Sequence, residues 1–291
     1  MRVETKLRTW ITAYGLMLPA MAIIVGLVGY PIIQAIYFSL TNARVGKPGD
    51  FVGLVNYADL LRNSVFWTAL VNSVGFTVVA VTLKLAFGLA IAILLNQKHL
   101  GNRWIRGAIL LPWVIPSTFG VVAWLWILNY NLGSLNWLLQ WLGVIHAPIP
   151  WLADPTYARV SVVLVNFWRG LPFFAITLLA GLVAIPTELY EAGEVDGATP
   201  WAKFRFITLP LLVPILAVTT LFSIVMTISD FNIVYVLTRG GPINSTQMFA
   251  TLAYQSAFGT GDLARGAAIS LFIFPALLLS LLFLLRLVRQ K

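Results

Sequence analysis

The chain has 291 residues, 59% of them hydrophobic and 10% charged, with a mean hydropathy of +0.89. That is too apolar for a soluble globular domain, and its continuous apolar blocks exclude the short alternating segments of a β-barrel. The absence of cysteine excludes disulfides and thiolate metal sites, and the net charge of +9 is distributed as a topology signal rather than a nucleic-acid footprint.

Six apolar runs reach the roughly 18–20 residues needed to cross a bilayer as a helix. The first, 13–40, follows Arg2, Lys6 and Arg8. It contains Ala20-Met21-Ala22, a faint signal-cleavage pattern, but stays apolar to Leu40, so an uncleaved first helix is expected. The segment 41–66 holds Gly46, Pro48, Gly49 and Phe51-Val52-Gly53-Leu54-Val55-Asn56-Tyr57, a structured excursion rather than a minimal turn. The second run, 67–95, carries a lone Lys84, which fits either a structural role or a hydrated contact. A basic connection, 96–107, leads to the third run, 108–128, with Pro112 and Pro116 inside it.

The segment of about 130–157 carries Trp137, Trp141 and Trp151 among three prolines, and its centre, 135–142, reads as a short interfacial helix. In the fourth run, 160–184, Asn166, Arg169, Gly170 and Phe173 share one helical face. The loop of about 186–208 gathers Glu188, Glu191, Glu194 and Asp196, four of the ten acidic residues. Positions 188, 191 and 194 or 195 fall on one helical face, and Gly197 supplies a C-cap or a bend. This is either a solvated loop helix or a docking element.

The fifth run, 209–228, presents Ser223, Met226 and Thr227, with Asp230 one turn on. The two polar stripes either line a solute cavity or bond helices to each other, an Arg169–Asp230 ion pair included. Arg239-Gly240-Gly241-Pro242 marks a turn before the last run, 267–287. Prolines recur within the runs, at 19, 31, 112, 116, 172, 214 and 275, and breaks of that kind are tolerated where neighbours or a wet cavity satisfy the backbone.

Six helices place both termini on one side. Calling that side cytoplasmic collects Arg2, Lys6, Arg8, Lys98, Arg103, Arg106, Lys203, Arg205, Arg286, Arg289 and Lys291 there. The other side then holds Arg44, Lys47, Arg62, Arg239, Arg265 and, marginally, Arg159, as positive-inside requires. His99 and His146 fall in loops on opposite sides and form no shared metal site. With no GxxxxGK[ST] stretch, the chain is not expected to hydrolyse ATP itself. No internal repeat is evident, which disfavours secondary transporters built from paired halves.

The acidic loop resembles the EAA motif of binding-protein-dependent ABC importer permeases, here Glu191-Ala192-Gly193, Gly197 with Ala198, and Ile207-Thr208-Leu209-Pro210. Further matches resemble the carbohydrate-uptake branch, of the maltose-F and glycerol-phosphate-A type. They are Val52 to Tyr57, Gly133-Ser134-Leu135-Asn136, Trp151-Leu152-Ala153-Asp154-Pro155, Trp168-Arg169-Gly170-Leu171-Pro172-Phe173, and Arg239 to Pro242 with Tyr254 and Phe258.

The resemblance implies an all-α, six-span type I importer permease as a single domain over 1–291, multi-pass in a bacterial plasma (inner) membrane. It implies a second permease subunit, two cytoplasmic ATPase subunits that hold ATP and Mg²⁺, an external solute-binding protein, and no cofactor, metal or nucleic acid in this chain. Glu188 to Phe206 would form two short helices docking on the ATPase, Glu191 engaging a basic residue there and Gly197 allowing the bend. Gly193 departs from the usual alanine, at about 1 kcal/mol of helix stability. Counting from this loop, the solute positions of maltose-type permeases fall on Asn166, Arg169, Gly170, Phe173, Ser223, Met226 and Thr227, with Asp230 beyond. A base at 169 is common in such permeases and does not by itself imply an anionic solute. The competing readings are an ion-coupled secondary transporter using Arg169 and Asp230, and a membrane-embedded enzyme, which the lack of clustered catalytic groups disfavours.

Overall fold

The computed structural model describes residues 2–97 and 102–289. Lys98, His99 and Lys291 lie outside the described residues. The chain divides into two compact units: one runs up to Arg62 and includes Ala253–Phe272, the other comprises Asn63–Leu252 and the residues from Ile273 on.

In the first unit, α1 (Arg2–Ile24) passes through a wider turn, Val25–Gly29, into α2 (Tyr30–Ser39). Ala13–Ser39 is apolar enough to cross a membrane, and its most apolar stretch is wholly unburied. The excursion after it folds back on itself. Asn56 Nδ2 donates to the carbonyls of Ser39 (2.8 Å) and Thr41 (2.7 Å), and Tyr57 OH donates to Ser39 Oγ (2.8 Å), tying α3 (Val55–Leu61) to the end of α2.

The second unit opens with α4 (Ser64–Asn96), capped by Asn63 Oδ1, which accepts from the N–H groups of Val65 and Phe66. The run 108–128, read from sequence as one span, is instead two helices. α5 (Asn102–Val114) and α6 (Ser117–Ile127) meet at 93°. The cause is Pro116, which has no N–H and forces Ile115 out of helical geometry.

After α7 (Ser134–Trp141) comes α8 (Pro155–Val183), whose start is set by Asp154 Oδ1 accepting from Thr156 and Tyr157 N–H, with Pro155 at the first helical position. Then follow α9 (Thr187–Val195), α10 (Pro200–Lys203) and, past a wide turn at Phe204–Thr208, α11 (Leu209–Ile228) and α12 (Asn232–Leu237). α13 (Phe249–Tyr254) and α14 (Leu263–Arg289) each run from one unit's residues into the other's.

Among the described residues four helices are long and apolar enough to span, and five crossings result if the bent pair counts as one. The sixth expected run, 267–287, lies within α14, whose apolar stretch among the described residues is Leu263–Pro275.

Two apolar clusters hold the second unit together. One joins Phe76, Val121, Val162, Val165 and Ile233; the other joins Val81, Phe174, Leu178, Leu182 and Leu212. Lipid is as apolar as these side chains, so close approach rather than water expulsion holds such helices together. Gly88 of α4 and Gly181 of α8 permit it. A Cβ at Gly88 would collide with Phe174 Cβ, and one at Gly181 would lie 2.6 Å from Ile215 Cδ1. Along α8 the two clusters end at Val165 and resume at Phe174, which leaves the polar stripe 166–170 between them.

Candidate functional site

That gap is a cavity of about 540 Å³. All the sequence-selected positions (Asn166, Arg169, Gly170, Phe173, Ser223, Met226, Thr227 and Asp230) line it, so the structure brings both stripes to one space. It adds Lys84 from α4, Trp113 and Ser117 from either side of the α5–α6 break, Phe222, and Ser229 to Asn232.

Its polar groups are largely tied together. Asn166 Nδ2 donates to Asp230 Oδ2 (3.0 Å), and the Ile233 N–H donates to Asp230 Oδ1 (3.2 Å). Lys84 Nζ donates to Thr227 Oγ1 (2.9 Å) and Ser223 Oγ (3.3 Å), and Asn232 Nδ2 donates to Ser117 Oγ (2.9 Å). Lys84 is 3% exposed. Its stem fits only because position 170 is glycine, since a Cβ there would sit 2.6 Å from Lys84 Cδ. Lys84 thus makes defined hydrogen bonds from α4 to α11.

The Arg169–Asp230 ion pair weighed from the sequence does not form; among the described residues the ion pair present is Lys203–Glu194. Asp230 is partnered by neutral donors, and Arg169 faces the cavity half-buried.

One polar atom is left over. Asn166 is buried, and its Oδ1 has no hydrogen-bond partner. A carboxylate accepts, so the amide nitrogen must face Asp230, and the carbonyl oxygen has to find its donor elsewhere. An aromatic row lines the same cavity. Trp113 stacks on Phe173 with centroids 5.3 Å apart at 20°, and Phe173 meets Phe222 at 4.9 Å. Polar side chains and aromatic faces are the groups that hold a polyhydroxylated ring. Trp113, Ser117 and Phe222 escaped the sequence reading, although Pro112 and Pro116 flagged the break beside the first two.

The acidic loop is a second candidate site. α9 ends in a Schellman motif: Ala198 N–H donates to Gly193 O (2.8 Å) and Gly197 N–H to Glu194 O (3.0 Å), with Gly197 at φ 74°. Thr199 then caps α10 by accepting from Ala202 N–H. Gly193 lies against the returning strand of chain, where a Cβ would come 3.2 Å from Ile207 Cδ1. Tyr190 OH and Thr208 Oγ1 lie 3.0 Å apart, and Lys203 Nζ donates to Glu194 Oε1 at 2.7 Å. That bond holds the Glu194 carboxyl below its ordinary value. Glu194 is therefore occupied inside the loop. Glu188, Glu191, Ala192 and Asp196 are exposed, and among the described residues neither Glu188 nor Glu191 makes an ion pair. Val195, Trp201 and Phe206 beside them are 88%, 69% and 73% exposed.

Comparison with known proteins gives a consistent picture. Residues 84–291 match the family described as binding-protein-dependent transport system inner membrane component. The chain is 36% identical over 276 residues to the trehalose/maltose transport system permease protein MalF of Thermococcus litoralis, covering 94% of this chain and 92% of that one. It is 32% identical over 278 residues to the sulfoquinovosyl glycerol transport system permease protein SmoG of Agrobacterium fabrum, covering 95% and 90%. Its fold is similar to a chain of a bacterial ABC transporter involved in the import of the acidic polysaccharide alginate. There the TM-score is 0.85 at 21% identity, over 100% of this chain and 99% of that chain.

Proposed function

The chain belongs to the family of binding-protein-dependent transport system inner membrane components, and from that premise we propose that it is the permease subunit of an importer that carries a sugar or sugar-like solute. The solute passes through the cavity between α4, α8 and α11. The observation that carries this reading is a cavity of about 540 Å³ whose lining combines the polar side chains of Lys84, Asn166, Arg169, Ser223, Thr227 and Asp230 with the aromatic row of Trp113, Phe173 and Phe222. Solute hydroxyls bond the polar side chains that line the cavity, and the ring's C–H face packs on Phe173 and Trp113.

The trehalose/maltose and sulfoquinovosyl glycerol relatives support a solute bearing sugar hydroxyls. In this reading the chain works with a second permease subunit, two ATPase subunits that bind and hydrolyse ATP with Mg²⁺, and an external binding protein that selects the solute. Both termini and the loop of about 186–208 face the cytoplasm. ATP-driven closure of the ATPases moves α9 and α10 through the exposed Glu188, Glu191 and Val195 surface, and the helices around the cavity alternate between outward and inward access.

The test is reconstitution of the full importer in proteoliposomes. Uptake of a solute bound by its binding protein should require ATP, and Asn166→Leu should raise the half-saturating concentration of loaded binding protein about tenfold or reduce uptake by that factor. Basal ATP hydrolysis should stay unchanged. Uptake that persists without ATPase subunits and collapses with the proton gradient would instead establish ion coupling.

A further inference from the structure

The second unit contains another cavity, of about 350 Å³, that the transport reading does not use. It lies toward the N-terminal ends of α4 and α8, walled by the loop that carries Ser245 and Thr246. The two helices run parallel, with Lys84 against Gly170 and Gly88 against Phe174. The loop is fastened to α4, because Asn72 Nδ2 donates to the carbonyls of Asn244 (3.0 Å) and Gln247 (3.1 Å), and Phe249 N–H donates to Ser73 Oγ (3.0 Å).

The two ends of this cavity differ in chemistry. At one end Arg159 Nε donates to the Ser245 carbonyl (3.0 Å), which fixes the guanidinium plane and leaves its η nitrogens without a protein hydrogen bond. Beside it the Ser245 hydroxyl, on a residue only 4% exposed, has no partner at all. The rest of the wall is hydrocarbon: Val71, Gly75, Val79 and Val163. Val71 and Val79 are largely exposed, and a Cβ built on Gly75 meets nothing within 4 Å, so the groove opens sideways along α4.

Depth fits this polarity. By the register that sets Lys84 against Gly170, Arg159 is level with about residue 73 of α4, so Val79 lies roughly 9 Å further along the helices at 1.5 Å per residue. The cationic end therefore lies nearer the N-terminal ends of the two helices than Val79 does.

We propose that this groove binds one anionic phospholipid. Its phosphate accepts from the Arg159 η nitrogens, and one acyl chain lies over Gly75 and Val79. A soluble anion has no use for the valine wall. A zwitterionic lipid sets its own ammonium beside the guanidinium, so net negative charge is selected.

The complete importer, delipidated in detergent and titrated with phosphatidylglycerol or with phosphatidylcholine of the same chains, is read by native mass spectrometry. Phosphatidylglycerol should bind roughly tenfold tighter than phosphatidylcholine. Arg159→Gln should abolish that preference. Gly75→Leu, whose Cβ enters open space, should remove binding of both lipids while leaving thermal unfolding nearly unchanged. Equal binding of the two lipids by the unaltered importer, or an unchanged preference in Arg159→Gln, overturns the proposal. So does efficient cross-linking of Gly75→Cys to the second permease subunit, which would make the groove a protein interface.

Discussion

A single amide sets the chemistry of the larger cavity. Asn166 commits its N–H to Asp230 and leaves its carbonyl oxygen open, so its orientation follows from the carboxylate beside it. Asn166→Asp should therefore be worse than Asn166→Leu, because it sets two carboxylates face to face. Its uptake should recover partly as pH falls and one of the two takes up a proton, and a pH series of proteoliposome uptake reads this. Glycines offer a second contrast between neighbouring positions. Gly88→Ala drives a methyl into Phe174 and should lower stability by about 1–3 kcal/mol, whereas Gly75→Ala meets open space and should be near neutral; thermal unfolding in detergent separates them. Both stripes were legible in the sequence because a polar side chain in an apolar run stands out. Of the aromatic row only Phe173 was, since Trp113 and Phe222 look like any lipid-facing residue until the fold sets them at the cavity.

At the scale of elements, the loop of α9 and α10 is a built hairpin of helices. Its Schellman turn needs a positive φ at Gly197, so Gly197→Val should cost about 1–2 kcal/mol locally, visible as faster amide exchange in α9. Glu191→Lys should leave that hairpin folded, because the side chain is exposed and unpaired, yet reduce ATP-coupled uptake by about tenfold or more and weaken copurification of the ATPase. Normal uptake would remove Glu191 from the coupling surface. The Lys203–Glu194 clasp behaves differently. The Glu194 carboxyl is held below its ordinary value, so the clasp is intact above the ordinary carboxylate range and is lost only as pH falls through the lowered folded value. One helical face and a bend at Gly197 could be read from the spacing of acids, and the second short helix only from the resemblance to the EAA motif. The 93° bend at Pro116 could not, because a proline within an apolar run marks either a kink or a full reversal, and only the packing of α6 decides which.

For the whole molecule, hydropathy alone gave helical class and most span positions, since length and apolarity are what a bilayer demands of a helix. It did not give the units into which the chain divides, because contacts such as Ala264 N–H to Ala43 O join residues far apart in sequence. The sidedness argued from Lys and Arg can be tested directly. The chain has no cysteine, so single substitutions report without background. Glu188→Cys should react with an impermeant maleimide only in opened cells or inverted vesicles, and Trp137→Cys should react in intact spheroplasts. The reverse pattern would invert the topology.

Lys84 and Gly170 together reach beyond transport, to how this sequence can change. The lysine stem occupies the volume that the glycine leaves vacant, so neither position is free to vary alone. A larger residue at 170 is barred while Lys84 stands, and a shorter residue at 84 leaves a hole over Gly170 as well as two hydroxyls without their donor. Lys84→Met with Gly170→Ala should consequently be milder than the sum of the two single changes, a coupling that a double-mutant cycle on thermal stability would measure. Changes on this wall of the cavity are therefore expected to come in pairs.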